Sequence, residues 1–449
     1  MRKKLAIALA LLLGIAMGLP QALAEGIAFE DPIFELALRS ALNRKVGAIT
    51  AEELAAFDSL VIDSPYFEDV YDIGISVTLR TASGEEFTSE RFLGRMSTMA
   101  DLAHFTGLSY LHITKHRLRD LSPLAGLTGL TTLKLNSMPI YEIEPLAALV
   151  NLEELDLEGG HVRDLRPLSG LVRLKKLNLD SNMTLSQLYP LENLSALEVL
   201  SLNTTYMQDI APLAGLTTLK ELHLGESRVQ DLSPLAGLIA LDHLYINSDL
   251  LVDLSPLANL PSITRLSLQG SRIQNLTPLK NLKTLTSLSV TSSAVSNLTP
   301  LKNLTGLTSL YLSYNRISDL RPLKNLTGLT KLHLQSNRIA DLAPLQGLTG
   351  LTLLHLNDNE IVKLTPLKSL TALGSAKLDN NRISNLKPLA DMPALRSIYL
   401  KGNPIKDLSP LAALTDLYRL EVDPDRITDW SPVVHVPYVT GRPEASSGD

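Results

Sequence analysis

His333 and His355 stand 22 residues apart in segments of nearly the same pattern, so a repeating fold would set the two imidazoles side by side, where they could share a metal ion. A zinc site needs three or four ligands with ordered support behind them, and the next residue in the same phase is Lys377, a cation. The pair is therefore expected to be two histidines on a polar face, with no metal. His112 and His116 are four apart but fall on a strand and its turn, so helical pairing does not apply. Carboxylates such as Asp156 and Glu158 could serve as acid and base, yet they point off an open face with no cleft to exclude water and shift their pKa values. The sequence has no cysteine, which removes disulfides, thiolate metal sites and cysteine nucleophiles. It also lacks a Gly-rich phosphate loop, a nucleophile elbow and a His-Glu-x-x-His motif. Asn-Leu-Thr at Asn275, Asn297, Asn303 and Asn325 would suggest glycosylation in a eukaryotic secretory protein, but here it falls out of a repeated consensus. No catalytic residue, cofactor or enzyme activity is expected.

The elements that must position these residues follow from a period. Prolines recur every 22 residues from Pro123 to Pro432, with one interval of 23 between Pro167 and Pro190. Such a period marks a solenoid, in which each unit touches only its neighbours and the chain can lengthen without enlarging a single core. One unit shows the mechanics. Leu323, Leu326 and Leu329 are three apart, which suits a turn of 3-10 helix, and proline opens that turn where its missing N–H costs nothing. Ser or Thr often precedes the proline, as at Ser122, Ser233, Thr277 and Ser409, and is expected to cap it. The step then shortens to two between Leu332 and Leu334, the alternation of a strand with both leucines inward. Where the chain leaves the strand stands Asn337, and the same slot holds Asn182, Asn315, Asn359, Asn381 and Asn403. These amides are expected to form a structural ladder, each bonding backbone groups that neither sheet nor turn satisfies. Thr205, Ser227, Asp249, Ser271 and Ser293 keep the slot polar, whereas Met138 and Gly160 break it.

These units resemble the leucine-rich-repeat family, in its 22-residue internalin-like bacterial subclass with the unit LxxLxxLxLxxNxIxDLxPLxxL. The resemblance implies an α/β solenoid: a right-handed horseshoe with a parallel β-sheet on the concave face, 3-10 or irregular turns on the convex face and a small helical N-terminal cap. Four segments are expected. Residues 1–24 read as a signal peptide, with Arg2, Lys3 and Lys4 before an apolar run and Ala22-Leu23-Ala24 at the cleavage site. Residues 25–98 form a helical cap in which Phe34, Leu36, Leu38, Leu42 and Val46 have helical spacing and Thr50 with Glu53 makes a capping box. The helical run reaches Leu60, and a probable β-hairpin insertion over 73–92 turns at Ser83-Gly84. Residues 99–430 hold about 15 coils, and 431–449 a half-repeat cap and a disordered tail from about Thr440 onward. The mature chain is expected to be secreted or extracellular (cell surface or periplasm), with no membrane span.

A formal charge of −6 over 449 residues gives no support to a nucleic-acid partner. The outward strand residues carry the functional expectation instead. A central column contains His223, Tyr245, Tyr311, His333, His355, Lys377 and Tyr399, and the face runs from acidic early strands through an uncharged middle to basic late ones. Serine or lysine would suffice on a solvated face, whereas tyrosine is favoured at contact hot spots. The expected function is recognition of an extracellular or surface protein through the concave sheet. The alternatives are binding of a cell-wall or extracellular glycan, or a structural spacer. Tyr245, Tyr311 and Tyr399 are at least three coils apart, which speaks against a continuous sugar groove.

Overall fold

A computed structural model describes residues 26–64, 66–67, 72–270, 272–440 and 442. The expected signal segment 1–24 and the tail from 443 onward lie outside the described residues, as does Ser271 of the polar slot. The chain is an α/β solenoid whose strands, beginning with Tyr110–Thr114 and Thr132–Asn136 and ending with Arg419–Glu421, pair in parallel with the strand of the next coil. Register is conserved throughout: Leu310 faces Leu332, and Leu332 faces Leu354. Neighbouring strands stand about 4.8 Å apart, so the fifteen strands from Tyr110–Thr114 to Arg419–Glu421 make a sheet roughly 67 Å long.

The leucines sit where the spacing puts them. Leu323, Leu326, Leu329, Leu332 and Leu334 are all fully buried, and the same holds in the adjoining coils, giving one continuous core. Each coil crosses the far side in a short 3-10 turn opened by proline, such as Thr277–Asn281 or Arg321–Leu323. The capping expectation fails here. No Ser or Thr side chain before proline caps its turn, and the cap position is a leucine. The donor is instead the residue before proline, whose backbone N–H reaches a carboxylate or amide two residues earlier: Ser122 to Asp120 Oδ1 at 2.9 Å, Thr277 to Asn275 Oδ1 at 2.9 Å, Ser409 to Asp407 Oδ1 at 2.8 Å. The Asp of the Asp-Leu-x-Pro unit is thus the turn-former, an Asx turn. Its carboxyl is held below the usual range by this bonding, as at Asp120 and Asp407, where the Ser hydroxyl contributes most.

The polar slot is a ladder linking coils. Asn359 donates through Nδ2 to the carbonyls of Leu334 (3.0 Å) and Leu356 (3.0 Å), and its Oδ1 accepts from the N–H of Ile339 at 2.9 Å. Leu334 O also accepts from Asn337, and Leu356 O from Asn381, so each carbonyl spends two lone pairs on amides of successive coils. Asn315 and Asn403 bond alike, and Asn182 does the same alone among irregular coils. Thr205 and Ser227 keep part of the pattern, bonding Leu202 O and Asn247 O. Asp249 does not: it is exposed, and its neighbour Ser248 is buried, donating to Val229 O at 2.8 Å. A carboxylate at the slot would be a buried charge with no N–H to give the carbonyls, so the chain turns it out. A second ladder was not anticipated: the hydroxyls of Thr286, Thr308, Thr330 and Thr352 each donate to the backbone carbonyl of the threonine one coil earlier.

The N-terminal end departs from its helical expectation. The first helix, α1, spans Pro32–Ala41 and buries Phe34, Ala37, Leu38 and Ala41, while Leu36 is exposed and Val46, beyond its end, is 83% exposed. The second, α2, spans Ala51–Ala55 with the Thr50–Glu53 capping box in place. After it the chain is a strand rather than helix: Phe57–Asp63 pairs in parallel with Tyr110–Thr114, Leu60 against Leu111 and Ile62 against Ile113. Its other edge takes Asp72–Thr81 antiparallel, which pairs in turn with Glu86–Thr88 across a turn with Gly84 at φ +86. Alternating burial at Leu60 and Ile62 is a strand signature that the helix-like run upstream masked. At the other end, Ser431–Val433 is a 3-10 turn and Tyr438–Thr440 a further strand paired to Arg419–Glu421, so the last unit is a full coil and Thr440 is ordered within it.

Two substitutions probe this frame. Leu332→Asp puts a charge among fully buried leucines and should cost several kcal/mol, unfolding neighbouring coils together; an unchanged thermal transition by circular dichroism would show the register to be wrong. Asn359→Ala strands a buried N–H and carbonyls and should lower the urea midpoint by the equivalent of about 2–4 kcal/mol, summed over the orphaned groups. Asn357→Ala, at a half-buried residue whose side-chain amide bonds, among the described residues, only the side chain of adjacent Asp358, is expected to leave that midpoint nearly unchanged.

Candidate binding face

Because register is conserved, residues of one phase stand in columns across the sheet, each side chain one strand from the next. Tyr311, His333, His355, Lys377 and Tyr399 occupy five consecutive strands. Their contacts are direct. The Tyr311 and His333 ring centroids are 4.7 Å apart at 62°, and those of His333 and His355 are 4.1 Å apart at 43°. Lys377 Nζ lies 5.3 Å from the Tyr399 centroid, a cation–π contact. His223 and Tyr245 pair on two earlier strands, separated from this group by Ser267 and Ser289. All seven are half-buried by their neighbours rather than freely solvated. The asparagines of the ladder lie beneath the rim of this face, and Asn182 and Asn359 belong to the frame, not the surface.

Packing sets the charge state of the histidines. Burial pushes His333 below its ordinary pKa, helped by Lys377 and Lys331. Burial also takes His355 down to about 4, with His333 and Lys377 adding to it. Both rings are therefore neutral at pH 7. His333 Nε2 and Gln335 Oε1 are buried and make no hydrogen bond among the described residues, so the middle of the column holds unspent polar capacity. Asp379, on the flank of Lys377, is pushed above the carboxylate range, chiefly by burial. Towards the early strands polar groups are paired: Lys134 Nζ to Glu154 Oε1 at 2.7 Å, and His243 Nδ1 beside Glu221 Oε1 at 3.3 Å. His333 and His355 adjoin, yet among the described residues no third His, Cys, Asp or Glu joins them, which leaves the pair short of a zinc ligand set.

Two tyrosines on the rim escaped the sequence reading. Tyr314 is 59% exposed with φ +57, and Tyr206 is 45% exposed with φ +55. The left-handed region is unfavourable for an aromatic residue, costing on the order of 1–3 kcal/mol, and most coils place a small or polar residue there. Tyr206 also receives Arg228 at 5.9 Å, beside a hollow of about 610 Å³ lined by both residues and Glu226. The sequence signal was available: the position just before the slot is Ser, Asp, Asn or Gly in most coils, and a tyrosine at 314 stands out against it.

His116 falls on the turn after its strand, as its position four residues beyond His112 implied. It occupies the ladder slot of the first coil, 1% exposed, and neither ring nitrogen has a hydrogen-bond partner. Desolvation lowers its pKa to about 4, with Arg95 acting in the same direction and Asp31 opposing.

The repeat profile described as leucine-rich repeats (two copies) matches residues 305–347, 327–369 and 376–432. No curated protein sequence matches the chain. Among solved structures, the chain is similar to an internalin (InlF) from Listeria monocytogenes, at 27% identity and TM-score 0.55, covering 87% of this chain and 95% of that one. A leucine-rich-repeat protein of Leptospira interrogans shares the fold at TM-score 0.67 and 23% identity, covering 73% and 87% respectively. The functional domain of InlJ from Listeria monocytogenes, which includes a cysteine ladder, shares it at TM-score 0.66 and 20% identity, covering 88% and 79%. The slot that forms an asparagine ladder here has no cysteine to offer in any coil. Among the described residues no helix is long and apolar enough to cross a membrane. The fold is one commonly used for binding proteins.

The pH dependence of stability follows from His116. Its folded pKa lies near 4 against an ordinary value of 6.5, so the unfolded chain takes up the proton first as pH falls. The stability gained by keeping the ring neutral is present in full above pH 6.5 and is lost between 6.5 and 4, by about 3 kcal/mol. His116→Met, matching the fully buried Met138 of the next coil, is expected to remove that part of the acid sensitivity. Equal pH 7.5 to pH 5 losses in urea titrations of the two proteins would contradict it.

Proposed function

We propose that this chain, which belongs to the internalin-like bacterial group of leucine-rich-repeat proteins, is a secreted module that recognises a protein partner through its concave sheet, and that it is not an enzyme. The observation that carries the reading is the contiguous Tyr311–His333–His355–Lys377–Tyr399 column. It offers rigid aromatic area, neutral imidazoles and a cation, on strands whose register the core fixes. Aromatic anchors ringed by polar groups are what a protein interface uses at its hot spots. His223 and Tyr245 would form a second, smaller contact. The open sheet has no enclosed cleft at this column, which suits a broad interface better than a small substrate.

The organisation proposed for this role is a signal segment over 1–24, a cap over 25–98, repeats over 99–430 and a closing unit over 431–449. The cap covers leucines that the first coil would otherwise expose. A spacer would need no more than a monotonous polar face, and this face varies from coil to coil.

The test is capture of a partner from a panel of extracellular proteins by the chain and by a variant with Tyr311, His333, His355 and Tyr399 replaced by alanine. A protein held by the chain should be lost from the variant by tenfold or more in affinity, while circular dichroism shows the same fold. Equal capture by both would take the site off the concave column.

A further inference from the structure

A separate surface is marked by charge. Between Leu254 and Ala340 the chain carries ten lysines and arginines and one acid, Asp319, a net charge of +9 inside a protein whose total is −6. Three of the ten, Lys280, Lys302 and Lys324, hold the same position in consecutive coils, directly after the proline and leucine of the 3-10 turn. Each is followed by an asparagine, Asn281, Asn303 and Asn325, and all six residues are exposed on the convex side. Ion pairs in neighbouring coils join Arg321 to Asp319 and Lys368 to Asp391, but among the described residues none of these three lysines is paired. Between Lys280 and Lys302 lies a hollow of about 290 Å³, lined also by Thr277, Asn281, Thr299 and Asn303.

We propose that this convex stripe binds an anionic polysaccharide, at a site distinct from the concave column. Lysines one coil apart present positive charge at a regular spacing of about 5 Å or more, set by the strands. That array matches a linear polymer with repeated acidic groups. The threonine hydroxyls and asparagine amides between the lysines supply the donors and acceptors that sugar hydroxyls need. Nucleic acid fits less well, because no aromatic side chain lines the hollow to stack a base. A lipid surface fits less well too: from Asp253 to Ser313 no large apolar side chain is exposed to enter it.

The experiment uses the full chain, with dextran sulfate as the probe and neutral dextran of equal length beside it. Dextran sulfate should bind, more weakly as salt rises, and neutral dextran should not. The variant Lys280→Gln, Lys302→Gln, Lys324→Gln should lose at least tenfold in affinity with an unchanged thermal transition. A variant with the same charge loss elsewhere, Lys45→Gln, Lys387→Gln, Lys406→Gln, should lose less than threefold. The concave variant used for the protein partner should bind dextran sulfate as the unmodified chain does, which separates this proposal from that reading. Full binding by the stripe variant, or equal loss in both charge variants, overturns the assignment. So does a single-stranded oligonucleotide or polyglutamate that binds as tightly with the same dependence on the three lysines.

Discussion

The asparagine that closes the strand in six coils solves a problem that every coil of a solenoid must meet. The chain turns out of the sheet there, and its carbonyls and N–H groups lie too deep for water. One amide supplies two donors and an acceptor in a plane, and in coils 315 to 403 it bonds its own coil and the one before. Burial of leucine gives the driving force, but leucines alone would let coils slide or twist against each other. The amide ladder and the threonine row on the descending side lock both ends of the strand, so the sheet between them keeps its register.

What the sheet presents depends on that lock. A side chain on one strand meets its counterpart on the next at a fixed separation, which is why Tyr311, His333 and His355 touch without being neighbours in sequence. The contact half-buries the imidazoles and holds them neutral, so a face expected to be solvated histidine is closer to an aromatic one. Where the ladder loses its asparagines, from Thr205 to Ser293, the loops become irregular. Asp249 turns outward, and the flank hollow beside Tyr206 and Arg228 lies in that region.

The N-terminal end is fastened differently, by buried carboxylates. Asp31 caps α1 through the N–H groups of Ile33 and Phe34 and also accepts from Ser97, while Asp101 accepts from the backbone of Glu30 and Asp31. Phe34 packs edge-on against Phe105 of the first coil at 6.1 Å. These bonds join segments about 70 residues apart, so the helix and the first coil depend on each other. His116, neutral and unpartnered in the ladder slot beside this junction, makes this region acid-sensitive as well.

The 22-residue period, the inward leucines, the parallel strands and the slot for the ladder could all be read from the sequence, because each follows from a local repeat in which every coil meets the same demand. The outward column could be named for the same reason, since two-residue alternation says which side chains leave the core. Non-local packing decided the rest. Phe57–Asp63 is a strand because it pairs with the edge of Tyr110–Thr114, a non-local contact that the alternation at Leu60 and Ile62 only hinted at. The cap of most turns fell to Asp or Asn two residues before the residue that precedes proline, because the leucine between them is held in the core and leaves that side chain within reach. The burial of His116 was not anticipated; its phase in the repeat put it inside, where desolvation sets its charge. Which histidines touch, and that they are neutral, was fixed only by the distance between strands.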